Sequence, residues 1–238
     1  MVLTTAPSIK QSFWQAIDSS KFSGNPAFDP RLQSLRNISL PKLIKVLEQY
    51  SYVTKIHAQS LNYVCNVIKP GKLKVLLDEI YFEETGYGNP NNSHYNLLKK
   101  FLFGLNEAFG GTMLTNTINP QVDALIKNYE NDLKTYPTYV AIGMAGMGTE
   151  CICGPILEEI WAQIQGRKDL EDVLPKLNLE FWGIHTGEID HSHAVRMRNA
   201  IDGEVGDSEE FANQILQGYQ LSVKFWDDLL NIFVTISA

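Results

Sequence analysis

The stretch FWGIHTGEIDHSHAVRM, Phe181 to Met197, carries His185, His191 and His193, three of the five histidines in the chain, beside Glu188 and Asp190. Residues three apart on an α-helix share a face, so Asp190 and His193 can serve one ion. At about 100° per residue, His185 lies about 140° around the axis from Asp190. A regular helix would separate the two, whereas a single π-type turn would bring them together, and such turns recur at functional sites. The pattern fits a helix over about 178–199, and an i→i+5 turn between Gly183 and Ser192 is expected if His185 and Asp190 serve one site. His185, Asp190 and His193 should then all face inward, and His191 should be the spare.

The rest of the chain is also patterned for helices. Over 41–68, Pro41 stands in a first-turn position, and Leu43, Ile44, Val46, Leu47, Tyr50, Val53, Ile56 and Leu61 follow at three-to-four spacing. Pro70-Gly71 breaks the pattern, and a second helix covers about 72–84. TGYGNPNNS is a loop by composition, with Ser93 or Asn92 placed to cap the helix that carries His94. Further helices are expected at about 120–134, 138–165, 168–175 and 208–235. The segment 138–165 is rich in Gly, Ala and Met in its first half, so other backbones can pack close to it. No strand pair, repeat or linker is evident. The expected architecture is a single all-α domain over 1–238, a bundle of about seven or eight helices.

Composition narrows the function. A net charge of −7 and a pI near 5.2 argue against a nucleic-acid partner. The opening MVLTTAPSIKQSFW has no apolar core of a signal peptide. No apolar run approaches the ~20 residues of a membrane span, so no membrane partner is expected. Cys65, Cys151 and Cys153 cannot all pair, and Cys151 and Cys153 diverge on a helix. A soluble protein of a reducing cytoplasm is expected.

A helical bundle that holds two metal ions needs about four carboxylates and two histidines, delivered inward from facing helices. Glu83 and Glu84 end the second helix, and His94 opens the third across the Asn-rich loop. Glu150 sits among Met147, Cys151 and Ile152, an unusual setting for a solvated acid. Together with His185, Asp190 and His193 these make an oxygen-rich set with imidazole nitrogens, suited to iron or manganese rather than structural zinc. Clustered buried carboxylates need a cation or must take up protons. His57, within VTKIHAQS, reads as a packing or hydrogen-bonding histidine rather than a ligand.

The order Glu, His, Glu, His, Asp-x-x-His resembles that of the heme-oxygenase-like diiron oxidases, most closely their CADD-like members, whose fold is shared by TenA and PqqC proteins. LLDEIYFEETGY resembles the family's first carboxylate helix, SHYNLLKKFLFGL its first histidine helix, and FWGIHTGEIDHSHA its H-x-x-x-D-x-x-H helix, here one residue longer. The resemblance implies metal ligands at Glu83 or its neighbour Glu84, His94, Glu150, His185, Asp190 and His193. It implies two non-heme iron ions, or a manganese–iron pair, with no heme and no nucleotide. The implied activity is oxidation of a small organic substrate by dioxygen, with electrons from an external reductant, and a homodimer is compatible with it. The lysine of CADD itself has no counterpart in ILEEIWAQI, so p-aminobenzoate formation is not expected. Two other readings stand beside this one. The first is a TenA- or PqqC-like enzyme without a redox metal, a hydrolase of that kind needing Cys65 or Cys151 as nucleophile. The second is a non-catalytic helical interaction protein with a vestigial site.

Overall fold

Among the described residues the regular structure is helical throughout. The computed structural model describes residues 7–22, 29–186, 188–205 and 208–237, and the backbone alone of 188–191. Eleven α-helices fall within these residues. Ser8 and Gln11 form a reciprocal capping box that starts α1 (Ile9–Asp18), and Asp29 caps the short α2 (Pro30–Gln33). α3 (Leu40–Val67) begins with Pro41 in its first turn and buries Leu43, Ile44, Leu47, Tyr50, Val53 and Leu61. α4 (Lys72–Glu84) follows the Pro70-Gly71 break. The Ser93 hydroxyl accepts the Asn96 N–H to start α5 (His94–Ala108), and Asn119 caps α6 (Pro120–Thr135).

α7 (Thr138–Ile142), a π-helical turn (Gly143–Gly148) and α8 (Thr149–Gln165) run on from one another. α9 (Glu180–His185), α10 (Glu188–Val205) and α11 (Glu209–Ser237) complete the set. The count exceeds the seven or eight expected for identifiable reasons. α1, with Phe13 and Ile17 buried at i and i+4, and the single-turn α2 precede the first helix expected from the sequence. The 138–165 segment is divided by its π turn, and the 178–199 segment is two helices. The short helix expected at 168–175 is instead a pair of 3-10 turns, Lys168–Leu170 and Leu174–Lys176. Pro175 lacks the N–H that an α-helix needs there.

The i→i+5 turn expected between Gly183 and Ser192 is not found among the described residues, where α9 ends at His185 and α10 starts at Glu188. A π turn that the sequence reading did not anticipate lies at Gly143–Gly148, just before Glu150. At the end of α9 the backbone N–H and hydroxyl of Thr186 both bond back to the Trp182 carbonyl, at 2.9 and 2.7 Å. His185 and His193 are nonetheless both buried, so the inward orientation expected of them holds.

Small residues in the π turn let α11 pack directly on its backbone. A Cβ on Gly218 would lie 2.0 Å from the Val140 carbonyl oxygen and 2.8 Å from Gly143 Cα, and one on Gly143 would lie 2.3 Å from the Ile215 carbonyl oxygen. By length and composition Thr138–Gln165 is apolar enough to cross a bilayer, which corrects the sequence expectation. In this structure 78% of its most apolar window is buried inside the protein, as in a core helix.

A buried acid needs no function where backbone N–H groups satisfy it. Glu48, on α3, is fully buried. Its carboxylate accepts from Thr115 N, Asn116 N and Thr115 Oγ1 at 3.0, 2.6 and 2.9 Å, strapping the 112–119 loop to the bundle. The acids of α4 and α8 have different partners.

Candidate metal centre

Six elements, α3, α4, α5, α8, α9 and α10, bring titratable side chains together inside the bundle. The α4–α5 loop sets the first group. Gly86 has φ +86°, and a Cβ there would lie 2.3 Å from the Asn89 carbonyl oxygen. Only glycine permits that turn, and the turn returns the chain so that α5 starts beside the end of α4. Glu84 Oε2 then lies 2.9 Å from His94 Nδ1.

His185 joins this pair from α9. Its ring meets that of His94 edge-on, with centroids 4.6 Å apart at 75°. Phe101, Trp161, Phe181 and Trp182 pack beneath it, the two indoles stacked at 5.0 Å. His185 Nδ1 lies 2.7 Å from the Phe181 carbonyl oxygen. That bond assigns the proton to Nδ1 and leaves the Nε2 lone pair for the cluster. Glu84, His94 and His185 each present an atom within 4.8 Å of the others, and all three are buried.

A second group lies on the opposite side of Glu84 in sequence and space. Glu83 Oε2 is 2.6 Å from His193 Nε2, and His193 Nδ1 is 3.4 Å from Glu150 Oε2. Glu150 Oε1 is in turn 3.0 Å from His57 Nε2. Arg196 Nη1 approaches Glu83 Oε1 at 3.8 Å. The two groups share one cavity of about 20 Å³, whose walls include His57, Glu84, Glu150, His185, Tyr50 and Trp226.

The electrostatics follow from this packing. Burial alone would raise the Glu84 carboxyl, but His94, His57 and His185 outweigh it and hold Glu84 far below the usual carboxylate range. Burial likewise opposes ionisation of Glu150, and His193 and His57 bring it below its ordinary value. Burial, reinforced by His94, pushes His185 down to about 4. Burial works against protonation of His193 too, but Glu150 and Glu83 carry it up to about 9. In these groups cationic imidazole supplies the charge that clustered carboxylates require.

The residues fit a metal pair. Donors held at about 2.1 Å from one ion and at right angles lie about 3.0 Å apart, close to the Glu84–His94 and Glu150–His57 separations. Glu150 Oε1 and His193 Nδ1 are buried and make no aligned hydrogen bond among the described residues. Carboxylate oxygens and imidazole nitrogens are the donors iron and manganese take.

Of the residues singled out from the sequence, Glu83, Glu84, His94, Glu150, His185 and His193 converge on these two groups. The side chain of Asp190, like that of His191, lies outside the described residues. His57 was read as a packing or hydrogen-bonding histidine, and it contacts Glu150 at 3.0 Å. Its one sequence signal was its place at helical spacing from Tyr50 and Thr54 on the buried face of α3, and that signal names no partner.

Comparison with known proteins gives the family and the fold. The profile of the family described as iron-containing redox enzyme matches residues 44–227. A search of curated proteins gives no match. Among solved structures, a CADD-like protein of unknown function from Nostoc punctiforme PCC 73102 is similar, with a TM-score of 0.71 at 18% identity over 96% of both chains. A domain of unknown function with a heme oxygenase-like fold from Shewanella denitrificans OS217 gives 0.66 at 16% identity, over 97% of this chain and 94% of that one. A TenA homolog from Pseudomonas syringae pv. tomato DC3000 gives 0.69 at 12% identity, over 97% and 98%. At these identities the likeness establishes the fold. With the family match extending over well more than half its length, the chain belongs to the iron-containing redox enzyme family and has an all-α, heme-oxygenase-like fold.

Proposed function

We propose that this protein is a dioxygen-activating oxidoreductase with a dinuclear non-heme metal centre, two irons or manganese with iron, acting on a small organic substrate. The observation that carries this is the buried Glu84–His94–His185 group beside the Glu83–His193–Glu150 group on one cavity. Glu84, His94 and His185 would hold one ion. Glu150 and His193, with Glu83 and Asp190, would hold the other. The metals, when bound, supply the dioxygen and electron-transfer chemistry.

The chain's own residues do the rest. The Phe181 carbonyl orients His185, and the Phe101–Trp161–Trp182 cluster excludes water behind it. His193 holds a proton between Glu83 and Glu150 that metal binding must displace. The cavity is about the size for one water or dioxygen molecule. An organic substrate therefore requires Tyr50, Cys153 or Trp226 to move. The Trp226 indole N–H is buried, has no acceptor and borders this cavity, so it offers the substrate a hydrogen-bond donor.

The thiol-hydrolase alternative is weaker. Burial pushes Cys65 and Cys151 up to about 12, and such thiols are poor nucleophiles at neutral pH. Anaerobic reconstitution with Fe(II) or Mn(II), elemental analysis and optical spectra on adding oxygen test the proposal. Up to two metals per chain and an oxygen-dependent spectral change are expected. Metal content near zero at saturating Fe(II) and Mn(II) overturns it.

A further inference from the structure

We infer that His57 is a fourth metal-binding imidazole, contributed by α3 to the ion held by Glu150 and His193. The inference rests on the dinuclear reading and adds to it a residue that lies outside all four sequence motifs.

Three observations carry it. His57 Nε2 stands 3.0 Å from Glu150 Oε1, the spacing of two donors at right angles on one ion. Glu150 Oε1 is buried and has no aligned hydrogen bond among the described residues. His57 also borders the cavity shared with Glu84, Glu150 and His185.

The position on α3 explains how the side chain is held there. Tyr50, Thr54 and His57 follow at i, i+4 and i+7, so all three line one face, and all three border the cavity. Glu150 and Cys153 repeat the relation on α8 at i and i+3. The two helices thus present paired rungs, His57 with Glu150 and Tyr50 with Cys153, the latter at 3.5 Å. α3 is anchored along its length by buried Leu43, Leu47, Leu61 and Val64. Its histidine is therefore delivered by one of the firmest elements of the bundle, whereas Asp190 comes from the start of α10.

Cobalt(II) substitution tests this without an activity assay. Each cobalt-bound imidazole leaves one exchangeable ring N–H with a strongly shifted proton resonance. The cobalt-loaded full chain should show four such resonances, from His57, His94, His185 and His193. His57→Ala should remove one and lower cobalt by up to one ion per chain, with added imidazole restoring it, and His57→Asn is a second variant should the alanine form fold poorly. His191→Ala should leave all four. Three resonances in the native protein with unchanged cobalt in His57→Ala would overturn the inference, as would a fourth resonance lost in His191→Ala but kept in His57→Ala. Cobalt that fails to bind at all, with no shifted resonances, would instead overturn the dinuclear reading itself.

Discussion

Glu83 and Glu84 are neighbours in the chain and partners of different histidines: Glu83 Oε2 is 2.6 Å from His193, and Glu84 Oε2 is 2.9 Å from His94. Successive residues on a helix diverge by about 100°, so the last turn of α4 sends one carboxylate to each group. The two acids posed as alternatives by the sequence thus both face histidines, one in each group.

Removing either carboxylate should then affect a different ion. Glu84→Gln takes a buried oxygen from the tight group and should lower bound iron by about half, with the remaining iron at the His193 side. Glu83→Gln, whose partner group is more open, should weaken the other ion with less loss overall. Metal analysis of the two single variants and the double variant checks this. Identical losses in both singles and no further loss in the double would mean that the two acids serve one ion.

His193 and His191 should behave differently. His193 is buried between two carboxylates. His193→Ala should lower metal content sharply and leave Glu83 and Glu150 without their cation, destabilising the fold by a few kcal/mol on the scale of a broken buried pair. His191→Ala should alter metal content little. Elemental analysis and urea unfolding of both variants measure these effects.

Stability of the chelator-treated protein should peak near neutral pH. The folded-state value of His193, about 9, lies above its ordinary 6.5. Its contribution is complete below pH 6.5 and is lost as pH rises through 9. Glu84 and Glu150 are depressed, so their contributions are present above about 4.5 and are lost as pH falls toward their lowered values. His185, lowered to about 4, favours the folded state above pH 6.5 and loses that effect between 6.5 and 4. Urea titrations across pH should show both declines, and metal loading should abolish the alkaline one by displacing the His193 proton. An unchanged alkaline limb in the loaded protein would contradict the placement of His193 at the metal.

The seam between the π turn and α11 should tolerate no side chain. Gly218→Val would place atoms against the Val140 carbonyl and Gly143 Cα, and α11 would have to move away. Overpacking of this kind costs about 1–3 kcal/mol or more. A lowered urea midpoint with an unchanged m-value is the expected result. Gly203→Ala, where a Cβ meets nothing within 4 Å, should unfold like the parent or at slightly higher urea.

The sequence by itself determined the helical class, most of the long helices and the residue types of the centre. Three-to-four spacing, Pro and Gly breaks and Ser or Asn caps are local properties, and they place α3, α4, α5, α6 and α11 within a few residues. The order of Glu, His, Glu, His and His is likewise written along the chain. Only the tertiary structure decided the pairing. His57 is twenty-six residues from Glu83 and has no signature of its own, and it meets Glu150 only because the bundle brings both to one cavity. The π turn depends on α11, whose Gly218 and Ser222 press on Gly143 and Gly148. The end of α9 at His185 is likewise a feature that helical periodicity does not register. Periodicity reports which face of a helix is buried; which groups meet on that face is set by packing between helices distant in sequence.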